Sequence, residues 1–559
     1  LASLVSKNLP AGHQIPIGSV KANIGHTLET AGLASLVKVV LAMEHAQIPP
    51  SSTCKTPNED FDWQNGPFKL LRSLTPWKCT TGDGRTAAVN AFGIGGLNVH
   101  VALCEHQPVE APRATQITSP EPVAIVGAGC VMPDALDRDA FFALLDRGRS
   151  AIGSVPKDRW DAERGVDASG PQTYHTTSAQ GGFIHGFEYD WRRHKVPPKQ
   201  IAAANPLQFM LLEAADSALA DAGMIEKGFD RTRTGVIVGT LFGGEFTNQL
   251  QMGLRLPETG RILQKLLQDR GVSPGDIDPI IKAYEEKLLV KMPALIDETG
   301  SFTSSTLASR LTKTFDLMGG ALAFDAGKCS GVMAVAAALD MLRSGENDIV
   351  LCAAGDRYLD LAAFEDLSLV SRLAGQPRSP NGTVHGLVPG EGAVVLVLKR
   401  LSDAVAAGDQ IRGVIRGAAM EAARTPHEAM RNAVSEVSRQ AGIAADFVGA
   451  VEVSGSGDLR QEQQMLEVLT SVYASNPTDD QMAPACGSLD GVVGHCGSAA
   501  GAAGVLKMTH ALKHGVMPVN VGSGADTTGG HLQVSPEQAL PIPAADANGY
   551  RAAAVTVAD

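Results

Sequence analysis

A chain of 559 residues, 44% hydrophobic and 19% charged, can bury a large core, and 60 glycines beside only 5% aromatics favour small-residue helices packed on a sheet. The formal charge of −13 argues against nucleic acid and anionic membrane as partners, because a polyanion is repelled at long range. The eight cysteines (54, 79, 104, 130, 329, 352, 486 and 496) form no CxxC pair and no ligand spacing, which points away from zinc and disulfides and toward a reducing cytosol. No stretch approaches the roughly 20 uninterrupted apolar residues of a membrane span, and no signal-peptide pattern opens the chain. The sequence begins inside an element at Leu1, so a preceding portion is expected.

In chain order, the first block with strong internal structure is GSVKANIGHTLETAGLASLVKVVLAMEHAQIPP from Gly18, followed by NAFGIGGLNVHVAL at 90–103. The segment HQPVEAPRATQITSPEP at 106–122 has no apolar period and reads as a linker over 106–121. PVAIVGAGC (122–130) and TGVIVGT (234–240) are apolar runs of the kind that form buried strands. GAGCVM invites a dinucleotide-loop reading, but the third glycine and an acidic ribose partner are missing, so a strand-end turn is expected. NPLQFMLLEAADSALADAG (205–223) carries an Asn cap, a Pro at the first helical position and a terminal Gly, and predicts a helix. A charged, helically patterned stretch at 257–298 predicts a surface insertion. Residues 320–326, 330–343 and 348–355 then read strand, helix, strand.

The block from Gly18 returns without gaps as GSLDGVVGHCGSAAGAAGVLKMTHALKHGVMPV from Gly487. Gly25/Gly494, His26/His495, Gly32/Gly501, Lys38/Lys507 and His45/His514 coincide. Such a separation is too long for a solenoid and marks two copies of one large domain.

VKANIGHT (20–27) and NAFGIGGLNVHVAL resemble signature blocks of the β-ketoacyl synthases, the condensing enzymes of fatty-acid and polyketide synthesis. In the second copy IVGAGCVMP, FDAGKCSGVMAVAAALDMLRSGE, GLVPGEGAVVLVLKRL and VEVSGSGD resemble the same family in the same order. The resemblance implies an α/β, thiolase-like fold of α-β-α-β-α layers, present as one partial copy and one nearly complete copy. It implies a division into 1–105, the C-terminal part of a ketosynthase domain, and 122–559, a ketosynthase-like domain.

The family's reaction needs a thiolate at a helix N-terminus to take the acyl chain. It also needs two imidazoles to hold the malonyl thioester carbonyl while carbon dioxide leaves, an oxyanion-hole role. By the resemblance, Lys21, Asn23 and His26 fall in the first copy's catalytic block; the alternative is that His26 only hydrogen-bonds within its loop. The cysteine and first histidine of that copy are expected upstream of Leu1. Ile94 and Leu97 stand where the family's glycine-rich loop has Phe and Thr. The second copy's chain stops at Ala558-Asp559, where the first has Phe92-Gly93.

In the second copy the nucleophile position is Lys328, with Cys329 one residue later. One residue is about 100° of helical rotation, so Cys329 is expected to face away from the pocket. The first catalytic histidine becomes Ser454 and the lysine of the third block becomes Asp490; His495 remains. Lysine is protonated near neutrality and an amide does not release a chain as a thioester does, so the copy is expected to be silent. A compensating ion pair between Lys328 and Asp490 is a further expectation.

The resemblance as a whole is to the ketosynthase and chain-length-factor proteins of polyunsaturated fatty acid synthases. It implies decarboxylative condensation with malonyl units on acyl carrier protein. No cofactor or metal is expected to be bound directly, the acyl and malonyl groups riding on the carrier's phosphopantetheine. Ketosynthase and chain-length-factor domains are expected to pair as a pseudo-dimer within a homo-oligomer. Two rival readings are a purely structural scaffold and a condensing enzyme that uses Cys329.

Overall fold

The structure, a computed structural model, describes residues 2–7, 9–10, 12–79, 84–92, 98–106, 120–202, 204–291, 304–375, 386–444, 447–473, 483–522, 532–534, 538–544 and 550–558. It consists of two compact units, Leu1–Ile117 and Thr118–Asp559. Ile94, Leu97, most of the linker and residues 292–298 of the insertion lie outside the described residues.

The first unit contains β1 (Ile15–Ile17), α1 (Lys21–Ile24), α2 (Ala31–Glu44), β2 (Phe68–Leu70), β3 (Thr86–Phe92) and β4 (Asn98–Cys104). β1 runs parallel to β2, and β3 pairs antiparallel with β4.

The second unit begins with β5 (Val123–Val131), α3 (Leu207–Asp221) and β6 (Thr234–Thr240). The insertion forms α4 (Leu256–Asp269) and α5 (Pro274–Lys291), two helices packed on each other with mostly exposed residues. Then follow β7 (Ala321–Phe324), α6 (Ser330–Arg343), β8 (Ile349–Asp356), β9 (Gly392–Arg400) and β10 (Gly413–Ile415). The last third holds α7 (Pro426–Ala441), β11 (Val448–Ser454), α8 (Leu459–Tyr473), β12 (Ala485–Gly487), α9 (Asp490–Val493), α10 (Ala500–His514) and β13 (Ala552–Val557).

Six strands form one sheet in the order β7-β6-β8-β9-β5-β10, and three more form a parallel sheet β12-β11-β13. The strands of the large sheet are apolar on both faces because both faces are covered. Ala124 and Val126 of β5 point into a core with α3, whereas Val123 and Ile125 point into a core shared with α6 and α10. α10 also packs on β11 and β13, and the outer face of the small sheet meets Val434 of α7 and Met465 and Leu469 of α8. The result is five layers, α-β-α-β-α.

The 205–223 expectation holds with a small refinement at the start: the Leu207 N–H donates to Asn205 Oδ1 at 3.0 Å, and Gly223 turns the chain out at φ 67°. The GAG motif is not a strand-end turn. β5 runs through it, and its glycines serve packing: a Cβ on Gly127 or Gly129 would lie 2.3 or 2.2 Å from a backbone carbonyl of α3. Both glycines are there so that the helix can lie against the strand.

Candidate functional site

In the first unit Lys21, Asn23 and His26 come together in α1 and the turn after it, all three exposed. Gly25 ends the helix at φ 80°, a backbone that favours glycine, and delivers His26. The Leu28 N–H donates to His26 Nδ1 at 3.0 Å. An Nδ1 that accepts leaves the proton of the neutral ring on Nε2, the tautomer that can donate to a carbonyl oxygen. The loop bond and the oxyanion role are therefore compatible, since they use different nitrogens.

The second unit builds the same turn from the same signals. Gly494 ends α9 at φ 76°, and the Gly497 N–H donates to His495 Nδ1 at 3.1 Å. Here the histidine is buried, and its backbone is stitched to the GLVPGEG segment: the His495 N–H donates to the Val388 carbonyl at 2.7 Å and the Gly390 N–H to the His495 carbonyl at 2.8 Å.

The remaining altered positions gather around the turn that follows β11. Ser454 Oγ donates to Asp490 Oδ1 at 3.2 Å and the Gly455 N–H to Asp490 Oδ2 at 3.4 Å. The Gly457 N–H donates to the buried Glu462 carboxylate at 2.9 Å. From the opposite side Lys328, half-buried just before α6, donates from Nζ to the Ser456 carbonyl at 3.0 Å. Lys328 and Asp490 thus hold the two ends of one turn, a link through the Ser454–Gly457 backbone that the expected ion pair did not anticipate.

Cys329 is the N-cap residue of α6, and its Sγ lies 3.6 Å from the Val557 carbonyl of β13. Ser454, Asp490, Cys496 and Val557 line a cavity of ≈ 10 Å³, room for about one water and not for an acyl chain. The other thiol there, Cys496, is buried, and burial with nearby carboxylates pushes it well above the ordinary thiol range, which removes nucleophilic character.

Sequence reasoning missed three groups that frame this site. Glu452 of β11 and Lys507 of α10 form a buried ion pair at 2.6 Å. Glu391 binds Arg159 through both oxygens at 3.0 and 3.1 Å and takes the Ile184 N–H at 2.8 Å. Asp356, at the end of β8, accepts from the Ser498 and Tyr358 N–H groups; burial pushes its carboxyl up to about 6 against those bonds. Lys507 left a signal as the repeat of Lys38, and Glu391 and Glu452 lie inside the quoted blocks GLVPGEGAVVLVLKRL and VEVSGSGD, whereas Asp356 falls in none of them.

Comparison with known proteins agrees with this geometry. The beta-ketoacyl synthase N-terminal domain model matches residues 120–404, and the C-terminal domain model matches twice, at 1–55 and 412–523. The ketoacyl-synthetase C-terminal extension matches 57–130. A phenolphthiocerol/phthiocerol polyketide synthase protein of Mycobacterium tuberculosis is 32% identical over 425 residues, 74% of this chain and 25% of that protein. A second protein of the same synthase, from the same species, is 30% identical over 454 residues, 78% of this chain and 22% of that protein. The chain therefore spans about a quarter of the length of these relatives.

Among solved structures, an oxazolomycin ketosynthase domain from Streptomyces albus superposes with a TM-score of 0.64 at 23% identity, covering 78% of this chain and 71% of that one. The PfaC keto synthase-chain length factor gives 0.64 at 21% identity, covering 78% and 46%. These likenesses show the thiolase-like fold. With the family match across both halves of the second unit and the start of the first, the chain belongs to the beta-ketoacyl synthase family.

Proposed function

We propose that the chain is part of a multidomain polyketide or polyunsaturated fatty acid synthase that elongates acyl chains by decarboxylative condensation with malonyl units on acyl carrier protein. In this reading residues 1–105 are the C-terminal part of a ketosynthase domain carrying Lys21, Asn23 and His26, and 106–121 are a linker. Residues 122–559 are a non-catalytic chain-length factor that pairs with the ketosynthase. The observation that carries it is a five-layer fold kept around a site with Lys328 at the nucleophile position and Ser454 at the first histidine position. A decaying copy would not be expected to keep its glycine packing, its stitched His495 turn and its buried ion pair. The PfaC likeness supports the pairing of a ketosynthase with a chain length factor.

The test is to incubate the chain with octanoyl-acyl carrier protein and to look for acyl transfer by peptide mass spectrometry. No acyl group on Cys329 is the expected result. An adduct there that vanishes in Cys329→Ala would overturn the non-catalytic assignment. In the intact synthase, substitutions in the 122–559 fold that lower yield without altering product length would favour the scaffold reading instead.

A further inference from the structure

We propose that Lys328 is a latch: its ammonium spans the gap between the N-terminus of α6 and the Ser454–Gly457 turn, and so keeps an acyl thioester out of the vestigial site. The inference rests on the reading that these two elements mark the old catalytic pocket, and it adds a reason why that pocket stays empty.

The argument is one of space and charge. A condensing site needs a substrate thioester between the head of the helix and the turn facing it. Here Nζ of Lys328 is 3.0 Å from the Ser456 carbonyl, hydrogen-bond distance, so no further atom fits along that line. A cation before the first turn of α6 faces the unfavourable end of the helix dipole. The carbonyl offsets part of that cost, because a charge-assisted hydrogen bond is stronger than a neutral one. The far end of the turn cannot retreat to reopen the gap. Asp490 holds Ser454 and Gly455, Glu462 holds the Gly457 N–H, and the Gly386 N–H donates to the Gly457 carbonyl at 3.1 Å. A rigid turn on one side and a tethered lysine on the other close the passage.

The experiment uses the full chain as wild type, Lys328→Ala and Lys328→Arg. The readout, taken under native conditions, is the thermal shift caused by hexanoyl-pantetheine. The wild type and Lys328→Arg, which keeps a long donor, should show no shift. Lys328→Ala should gain a thioester-dependent rise in melting temperature. Hydrogen exchange in α6 checks that Lys328→Ala remains folded. If Lys328→Ala shows no more shift than the wild type, the latch is wrong while the non-catalytic reading stands. Acyl transfer onto Cys329 in the wild type would overturn both.

Discussion

Helices α2 and α10 are built from matching sequence blocks near opposite ends of the chain, yet they live in different surroundings. Ile24, Leu33 and Val37 of the first unit are 58%, 62% and 56% exposed, whereas their counterparts Val493, Ala502 and Leu506 are fully enclosed. The local structure is nevertheless the same: a four-residue helix, a glycine at positive φ, a histidine tied to the amide two residues on, a short 3-10 turn and a long helix. Local signals thus specify the element, and neighbours distant in sequence decide whether its apolar face is buried. In the second unit that neighbour is α6, whose Val335, Ala338 and Leu339 share a core with Ala502 and Leu506.

The largest test of this contrast lies in the repeated lysine. Lys507 is enclosed with Glu452 at 2.6 Å, and burial pushes the Glu452 carboxyl up while the ammonium beside it pulls down. Lys38 lies 3.4 Å from the Asn23 side-chain oxygen and is half-buried. Lys507→Met leaves a buried carboxylate without its cation and should cost about 3–5 kcal/mol. Lys38→Met should cost less than about 1 kcal/mol. Hydrogen exchange read peptide by peptide keeps the two units apart. Equal losses would mean that the two helices are not in different environments after all.

Next in size is packing alone. Leu506→Ala opens a cavity in a closed core and should cost about 2–5 kcal/mol, while Val37→Ala, on an exposed face, should stay within about 0.5 kcal/mol. A large loss from Val37→Ala would show that the first unit covers α2 by other means.

Asp356 sharpens the comparison at the histidine turn, which in the second unit is anchored by a buried carboxylate through the Ser498 N–H. Its folded value of about 6 lies above the unfolded value of about 3.9, so the folded state binds the extra proton between them. Stability therefore falls as pH rises from about 4 to about 6, and the full cost, on the order of 2–3 kcal/mol, is present above about pH 6. Asp356→Asn keeps an acceptor for Ser498 but turns an NH2 toward the Tyr358 N–H, so at about pH 7 it should be more stable than the wild type by what is left of that cost after the lost Tyr358 bond, with the gain fading below about pH 4. Urea melts at those two pH values check it; a variant weaker than the wild type near neutrality would sink the account.

Much of this was legible in the sequence because it is local. β6 and α6 occupy the residues that their apolar runs predict, and the repeat exposed both histidine turns. What escaped depends on contacts between distant segments: Arg159 and Glu391 are 232 residues apart, Lys328 and the Ser456 carbonyl 128. Asp490 was read as a partner for Lys328, since charge alone suggests it. The turn between them offered a carbonyl to one and a hydroxyl and an N–H to the other, donors and acceptors that no side-chain pattern displays.

The smallest expected effect concerns the turn that follows each long helix. Gly515 leaves α10 at φ 70°, and its counterpart in the first copy is Ala46 at φ 50°. A left-handed backbone costs an L-residue with a Cβ about 1 kcal/mol more than it costs glycine. Gly515→Ala should therefore lose about 1 kcal/mol, and somewhat more because the new Cβ would lie 2.7 Å from the Arg551 guanidinium carbon, which has to move. Ala46→Gly should gain up to about 1 kcal/mol, the same effect with opposite sign, since the strain is relieved in the folded state. Slower exchange at the C-terminal amides of α2 in Ala46→Gly is the readout. If Ala46→Gly instead frays the helix, the turn after α2 is not the left-handed cap that closes α10, and the likeness of the two copies ends one residue earlier than the backbone angles say.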